Sequence, residues 1–226
     1  MLLFLGLIAV WRAEAKQGRG DTGSWLAAGA AFGGAFLIRQ ELILVAVAAG
    51  GWLAWRRRAE PATLVRPVLL VGAPLLVALA ATIWFEWVRW GSLLKLPNYT
   101  LPQQRTPLSA RVGFFFVNVY RYVLSPNQGL FWFSPAAILG VLGARAFYRK
   151  EPALATLLAA TLGPLGLFYM VGWGASTWAW GIRYTYTFLP FLLLPAAALL
   201  DQPFRRGLVV GVAGLGLGVQ LLAIPY

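Results

Sequence analysis

The stretch Leu64 to Phe85, LVRPVLLVGAPLLVALAATIWF, decides the fold class. A helix needs roughly 20 residues to cross the hydrocarbon of a bilayer, and this run supplies that length with a single charge, Arg66, near its start. Comparable apolar runs, separated by charged or Gly/Pro-rich breaks, occur at Met1–Trp11, Trp25–Ile38, Leu42–Trp55, Leu130–Phe147, Ala153–Val171, Thr185–Leu200 and Gly207–Ile224. Hydrophobic residues make up 60% of the chain against 12% charged, and mean hydropathy is +0.71, so the apolar surface exceeds what one soluble core of this length can hide. The pattern predicts an all-α, polytopic transmembrane helical bundle of about eight membrane segments, forming one transmembrane domain over residues 1–226.

Trp25–Ile38 and Leu42–Trp55 are too short to cross singly and are expected to pair as a short helical hairpin with Arg39-Gln40-Glu41 at its tip; one long helix with three buried polar residues is the rival. The net charge of +12 lies in short basic clusters between apolar runs, which is a topology signal and not a nucleic-acid footprint. With the Arg12–Ser24 loop cytoplasmic and the spans alternating, twelve of the 19 basic residues fall inside and seven outside, which favours that orientation. Met1–Trp11 lacks a basic region before it and a small-residue cleavage site after it, which argues against a secretory signal. It reads as a short first helix or as the end of a helix within a larger membrane protein.

The chain contains no Cys and no His, which removes disulfides, thiolate nucleophiles, zinc sites of those ligands and imidazole acid/base chemistry. Only two of the seven acidic residues, Glu41 and Glu86, fall on the outer side, so outer carboxylate chemistry rests on them and a protein-built divalent metal site is not expected; no cofactor is expected either. Arg39 and Glu41 end the run GAAFGGAFLIRQE, where charged groups either line a functional cavity or Arg39 snorkels to the interface and pairs with Glu41 or a lipid phosphate. Gly29, Gly33 and Gly34, with Ala30, form a small-residue face suited to close helix contact. In FEWVRWGS, Phe85 to Ser92, an aromatic belt accounts for the tryptophans. Glu86 and Arg89 stand three apart, so they either pair on a helix or border the mouth of a site.

Residues 86–128 form an outer loop and an interfacial helix. Leu96–Arg111 is rich in Pro, Gln, Asn and Thr and reads as loop; Ser109–Leu124, with Arg111, Asn118, Arg121 and Tyr122 among apolar residues, reads as a helix in or near the interface. The run SPNQGLFWFSP, Ser125 to Pro135, breaks helix geometry and either lines a cavity or makes a plain re-entrant turn. In WGASTWAWGIRY, Trp173 to Tyr184, the tryptophans serve as headgroup anchors or as sugar-stacking platforms. Arg183 beside them is a suitable phosphate ligand, being always charged and able to bind bidentately.

The order of these elements resembles the membrane-embedded C-type (GT-C) glycosyltransferase superfamily, particularly bacterial relatives of the protein mannosyltransferases and the aminoarabinose transferases. The resemblance is carried by the glycine-rich run ending in Arg39, by Trp90-Gly91-Ser92 after a Glu/Arg-bearing helix end, by the Ser-Pro, Gly-Leu and Ser-Pro steps between Ser125 and Pro135, and by the Trp-rich loop closing on Gly181-Ile182-Arg183-Tyr184 before a span with Pro190 and Pro195. It covers most of the chain from Ser24 onward and implies transfer of a sugar from a polyprenyl-phosphate carrier to an acceptor lipid, glycan or protein on the outer face of a bacterial plasma membrane. It also implies Arg39, Arg183 and Arg121 as ligands of the carrier phosphate, and Tyr184, Trp178 and Asn127 as borders of the sugar.

Such enzymes use an acidic residue, usually Asp, in the first outer loop. No outer Asp exists here, so the sequence reads first as a fragment that lacks its catalytic start, with Glu41 or Glu86 as substitute acid, or an inactive homologue, as the alternatives. The end at Ile224-Pro225-Tyr226, directly after a span, reads the same way. Two other functions compete: a transporter or lipid flippase that binds an anionic headgroup, and a non-catalytic membrane scaffold subunit. A transporter calls for polar residues continued through the bilayer and for inverted repeats, whereas Leu130–Phe147, Ala153–Val171 and Gly207–Ile224 are almost free of ionisable groups.

Overall fold

The computed structural model describes residues 1–15, 22–91, 113, 115–126, 129–172, 187–200 and 203–221, with the side chains of 203–205, 213, 220 and 221 set aside. Regular structure among them is helical, with no strand. In chain order the helices are α1 (Leu2–Ala15), α2 (Thr22–Ile38), α3 (Ile43–Arg56), α4 (Val65–Trp90), α5 (Phe115–Val119), α6 (Leu130–Phe133), α7 (Ala137–Lys150), α8 (Pro152–Gly172), α9 (Leu189–Leu193) and α10 (Pro203–Leu221). They group into two compact units: Met1–Pro107 with Leu157–Leu165, and Leu108–Thr156 with Gly166–Tyr226.

In the first unit α2 is the central helix, packed on α1 and on α4. Missing side chains make both contacts close. A Cβ on Gly29 would stand 2.5 Å from the carbonyl oxygen of Val71, and one on Gly33 would stand 3.2 Å from both the Pro74 carbonyl oxygen and the Ala78 methyl. On the α1 side, a Cβ on Gly6 would meet the Phe32 ring at 2.7 Å, and Gly34 faces Leu2. The small-residue face read from the sequence is therefore divided. Gly29 and Gly33, four apart, serve α4, while Gly34 serves α1 and Ala30 is exposed. Residue numbers rise together along both partners, from Thr22 bonded to Arg66, through Gly29 at Val71, to Gly33 at Ala78, so α2 and α4 run parallel.

The hairpin expected at Arg39-Gln40-Glu41 is present. Arg39 is extended (φ −148°, ψ 108°), which ends α2, and Gln40–Leu42 form a single tight 3-10 turn before α3. The guanidinium carbon of Arg57, just past α3, lies 5.8 Å from the centre of the Trp25 ring near the start of α2, so the two helices return antiparallel over their length. That geometry excludes one continuous helix.

Among the described residues two helical stretches, Pro61–Trp90 and Pro152–Val171, are long and apolar enough to cross a membrane. Val65–Trp90 is 26 residues, roughly 39 Å at 1.5 Å per residue. Other runs read as spans are shorter or interrupted. Helix α1 has 14 residues, α2 has 17 and α3 has 14. The run Leu130–Phe147 is broken at Ser134 (φ −143°, ψ 66°), because the ring of Pro135 excludes helical backbone from the residue before it. Thr185–Leu200 begins outside the described residues. Its described part is the five-residue α9 followed by a 3-10 turn at Leu194–Leu199, with Pro190 and Pro195 each near the start of its piece.

The second unit is built on a contact between α7 and that 3-10 turn. The Leu192 and Pro195 carbonyl oxygens occupy the places where Cβ atoms on Gly140 and Gly143 would sit, at 1.6 and 2.1 Å. Leu139, Ala196 and Leu199 form the adjoining core, with Val209 and Val212 of α10 packed on it. Phe115–Leu124 falls within the helix expected over Ser109–Leu124, and its last five residues are wound as a π-turn that ends at Ser125.

Candidate functional site

Side-chain chemistry in the first unit collects at its two ends. At the hairpin tip, Arg39 donates from Nε to Glu41 Oε1 at 2.9 Å and from Nη2 to the same oxygen at 2.5 Å. Both side chains are largely covered, at 25% and 17% exposure, so the pair holds its two charges together instead of offering a bare cation. The extended backbone at Arg39 creates this geometry, since it turns residues 39 and 41 toward one another where a helix would spread them around its axis.

Glu86 belongs to the same end. The parallel register of α2 and α4 carries Glu86 about one helical turn past the level of Arg39. The expected Glu86–Arg89 pair does not form. Arg89 lays its guanidinium over Trp90, 4.8 Å from the ring centre, and over Phe85 at 5.8 Å. One carboxyl oxygen of Glu86, Oε2, is buried and accepts no hydrogen bond from the described residues. Aromatic faces attract a guanidinium through the ring quadrupole, and with Arg89 placed over them the carboxylate is left without its i+3 neighbour. Around it Trp84 and Trp87 are exposed.

At the opposite end the acid is Glu14, at the end of α1. Arg57 donates to its Oε2 from Nε (3.0 Å) and Nη2 (2.7 Å), and to the Thr63 carbonyl oxygen from Nη1 (2.9 Å). Arg56 Nε stands 3.6 Å from the other oxygen of Glu14. Arg56 lies over Trp52 at 5.2 Å and Arg58 over Trp55 at 5.9 Å, while Arg66 donates to the Thr22 hydroxyl at 2.5 Å. Thus α1, α2, α3 and the entry to α4 are tied together by charge. The sequence supplied the residues, Glu14 in one basic loop and Arg56-Arg57-Arg58 in another, but nothing local signals that two loops 43 residues apart share a partner.

In the second unit Asn118 is 5% exposed and donates from Nδ2 to the Met170 carbonyl oxygen at 2.7 Å. Met170 is in the last turn of α8, where helix carbonyls have no intrahelical partner. Asn118 therefore caps α8. Arg121 is exposed on the π-turn, and Tyr122 beside it is fully buried. Trp132 of α6 donates to the Leu124 carbonyl oxygen at 2.8 Å, which fixes the re-entry of the chain after Ser125.

Of the residues expected to bind carrier or sugar, Asn127, Trp178, Arg183 and Tyr184 lie outside the described residues, as do the loops at 96–111 and 173–184. Arg39 and Glu41 are brought together, Glu86 shares their end of the first unit, and Arg121 belongs to the second. No family model, curated protein or solved structure matches the chain.

Proposed function

We propose that the chain is a multi-pass membrane protein of about eight membrane segments, resident in a bacterial plasma membrane, that transfers a sugar from a polyprenyl-phosphate carrier to an acceptor at the outer face. Support for membrane residence comes from α4. Of its 26 residues only Pro67 and Ala78 are buried, and both lie on the strip toward α2, while Val68, Leu69, Leu76, Val77, Ile83 and Val88 are open. A helix so apolar and so exposed needs acyl chains around it, and its backbone polar groups are satisfied within the helix as hydrocarbon demands.

The observation that carries the catalytic reading is the orphan oxygen of Glu86. An acceptor hydroxyl supplies the missing hydrogen bond. As the hydroxyl oxygen bonds to the anomeric carbon of the sugar, its proton passes to Glu86, the anomeric C–O bond to the carrier phosphate breaks, and polyprenyl phosphate departs. Glu41 is the weaker base because Arg39 already engages it through two donors. The charge on the departing phosphate calls for guanidinium groups. By the family resemblance Arg39 and Arg183 are the first candidates for that role and Arg121 the next, and Arg39 would have to release Glu41 to serve. Tyr184, Trp178 and Asn127 border the sugar.

The test is sugar transfer by the purified protein in liposomes holding a radiolabelled polyprenyl-phosphate hexose. Arg183→Ala abolishes transfer while expression and membrane insertion persist, and Glu86→Gln lowers kcat by about a hundredfold or more, the scale of general-base catalysis. Transfer at the wild-type rate in both variants would remove these residues from the site.

A further inference from the structure

The Glu14 end of the first unit carries more positive charge than its own acids can neutralise. The described basic groups there are Arg12, Arg56, Arg57, Arg58 and Arg66, and the acids are Glu14 and Glu60. Both oxygens of Glu14 are taken, one by Arg57 and the other by Arg56. Glu60 forms no ion pair with a described residue, and neither do Arg12, Arg58 and Arg66, all of which are exposed. Arg66 is steadied by Thr22, and Arg58 lies over the exposed ring of Trp55, so these two cations are held in place without being neutralised. The cluster stands where α4, the most exposed apolar helix of the unit, begins.

From this we infer that Arg12, Arg58 and Arg66 form a docking surface for anionic phospholipid headgroups of the adjoining leaflet, with the Trp55 ring lying beside the glycerol backbone. The inference rests on the membrane residence proposed above and is independent of any sugar transfer. Charge complementarity selects the occupant. A phosphodiester accepts hydrogen bonds from guanidinium groups in a planar fork, and a lipid, unlike a free anion, also has acyl chains to lay along the exposed apolar side of α4. Arg57 is left out of the surface because Glu14, Thr63 and Trp25 occupy it.

The experiment is native mass spectrometry of the detergent-solubilised full chain titrated with phosphatidylglycerol or with phosphatidylcholine. The wild type retains phosphatidylglycerol preferentially. Each of Arg12→Gln, Arg58→Gln and Arg66→Gln weakens that retention by about fivefold, the equivalent of roughly 1 kcal/mol for each basic residue at an anionic surface, and the triple variant binds both lipids alike. Circular dichroism checks that the triple variant keeps its helix content, which Glu14 and Arg57 secure. Equal retention of the two lipids by the wild type, or unchanged selectivity in the triple variant, overturns the inference. Complete displacement by soluble glycerol phosphate also overturns it, because the site is then one for a free anion. Failure of the membrane reading itself looks different: the chain stays in solution without detergent and retains neither lipid.

Discussion

Arg57 reaches back 43 residues to bind one oxygen of Glu14 through two of its nitrogens, at 3.0 and 2.7 Å, and each side chain is only 13% exposed. Removing one partner of such a pair strands the other charge, which in a fully buried pair costs about 3–5 kcal/mol. Partial solvent access here reduces that to about 1–3 kcal/mol. Arg57→Ala and Glu14→Gln are thus expected to lower the thermal unfolding temperature of the purified protein, while Arg58→Ala leaves it nearly unchanged. A double-mutant cycle gives a coupling of the same sign. Additive effects of the two substitutions would show that the contact is not a tie between α1 and α3.

Close helix approach in the second unit sets a sharper requirement. A methyl group at Gly140 would coincide with the Leu192 carbonyl oxygen, at 1.6 Å, and the obstacle is backbone, which cannot rotate aside. Gly140→Ala is expected to separate α7 from the turn at Leu194–Leu199 and to destabilise the unit by about 1–3 kcal/mol or more. Gly163→Ala meets nothing within 4 Å and removes a helix glycine, so its effect is slight or stabilising. The yield of folded protein in detergent, measured by size-exclusion chromatography, separates the two. Equal yields would refute the contact.

How much of this was legible in the sequence depends on the range of the interaction. The hairpin was readable because two apolar runs too short to cross singly flank a charged triplet, and close helix contact at Gly29, Gly33 and Gly34 was readable from their small size, but its division between α4 and α1 was not. Helix continuity was not readable from apolar content. Leu130–Phe147 looks like one span until Pro135 acts on Ser134, and Pro190 and Pro195 similarly divide the run that reaches Leu200. The Glu86–Arg89 spacing pointed to an ion pair, yet aromatic faces in the same turn held the arginine. Nothing local linked Glu14 to Arg57 or Asn118 to Met170, since those partners are 43 and 52 residues apart and meet only when helices pack. Arg39 and Glu41 were legible as residues, and their pairing was one of the readings left open; the tight turn between them is what brings them together.

The inside-positive orientation expected from the basic clusters predicts a labelling pattern that the absence of native cysteine makes clean. Gln40, at the hairpin tip, is exposed, and so is Glu60, in the loop between α3 and α4. In intact cells Gln40→Cys is expected to react with a membrane-impermeant maleimide, whereas Glu60→Cys reacts only after the cells are opened. The reverse pattern would invert the topology, and reaction at both positions would mean that the hairpin does not separate two compartments.

Asn118 offers a test of how the π-turn segment is held to α8. Its Nδ2 satisfies the Met170 carbonyl oxygen, one of the last four of the helix, at 2.7 Å in a buried setting. Asn118→Ala leaves that carbonyl without a donor and is expected to cost about 1–3 kcal/mol. Asn118→Asp, whose ionised carboxylate can only accept, sets an oxygen against an oxygen and costs more than the alanine. The order wild type, alanine, aspartate in thermal unfolding is the signature of a donated hydrogen bond. If Asn118→Asp proved as stable as wild type, the amide would not be the donor that caps α8.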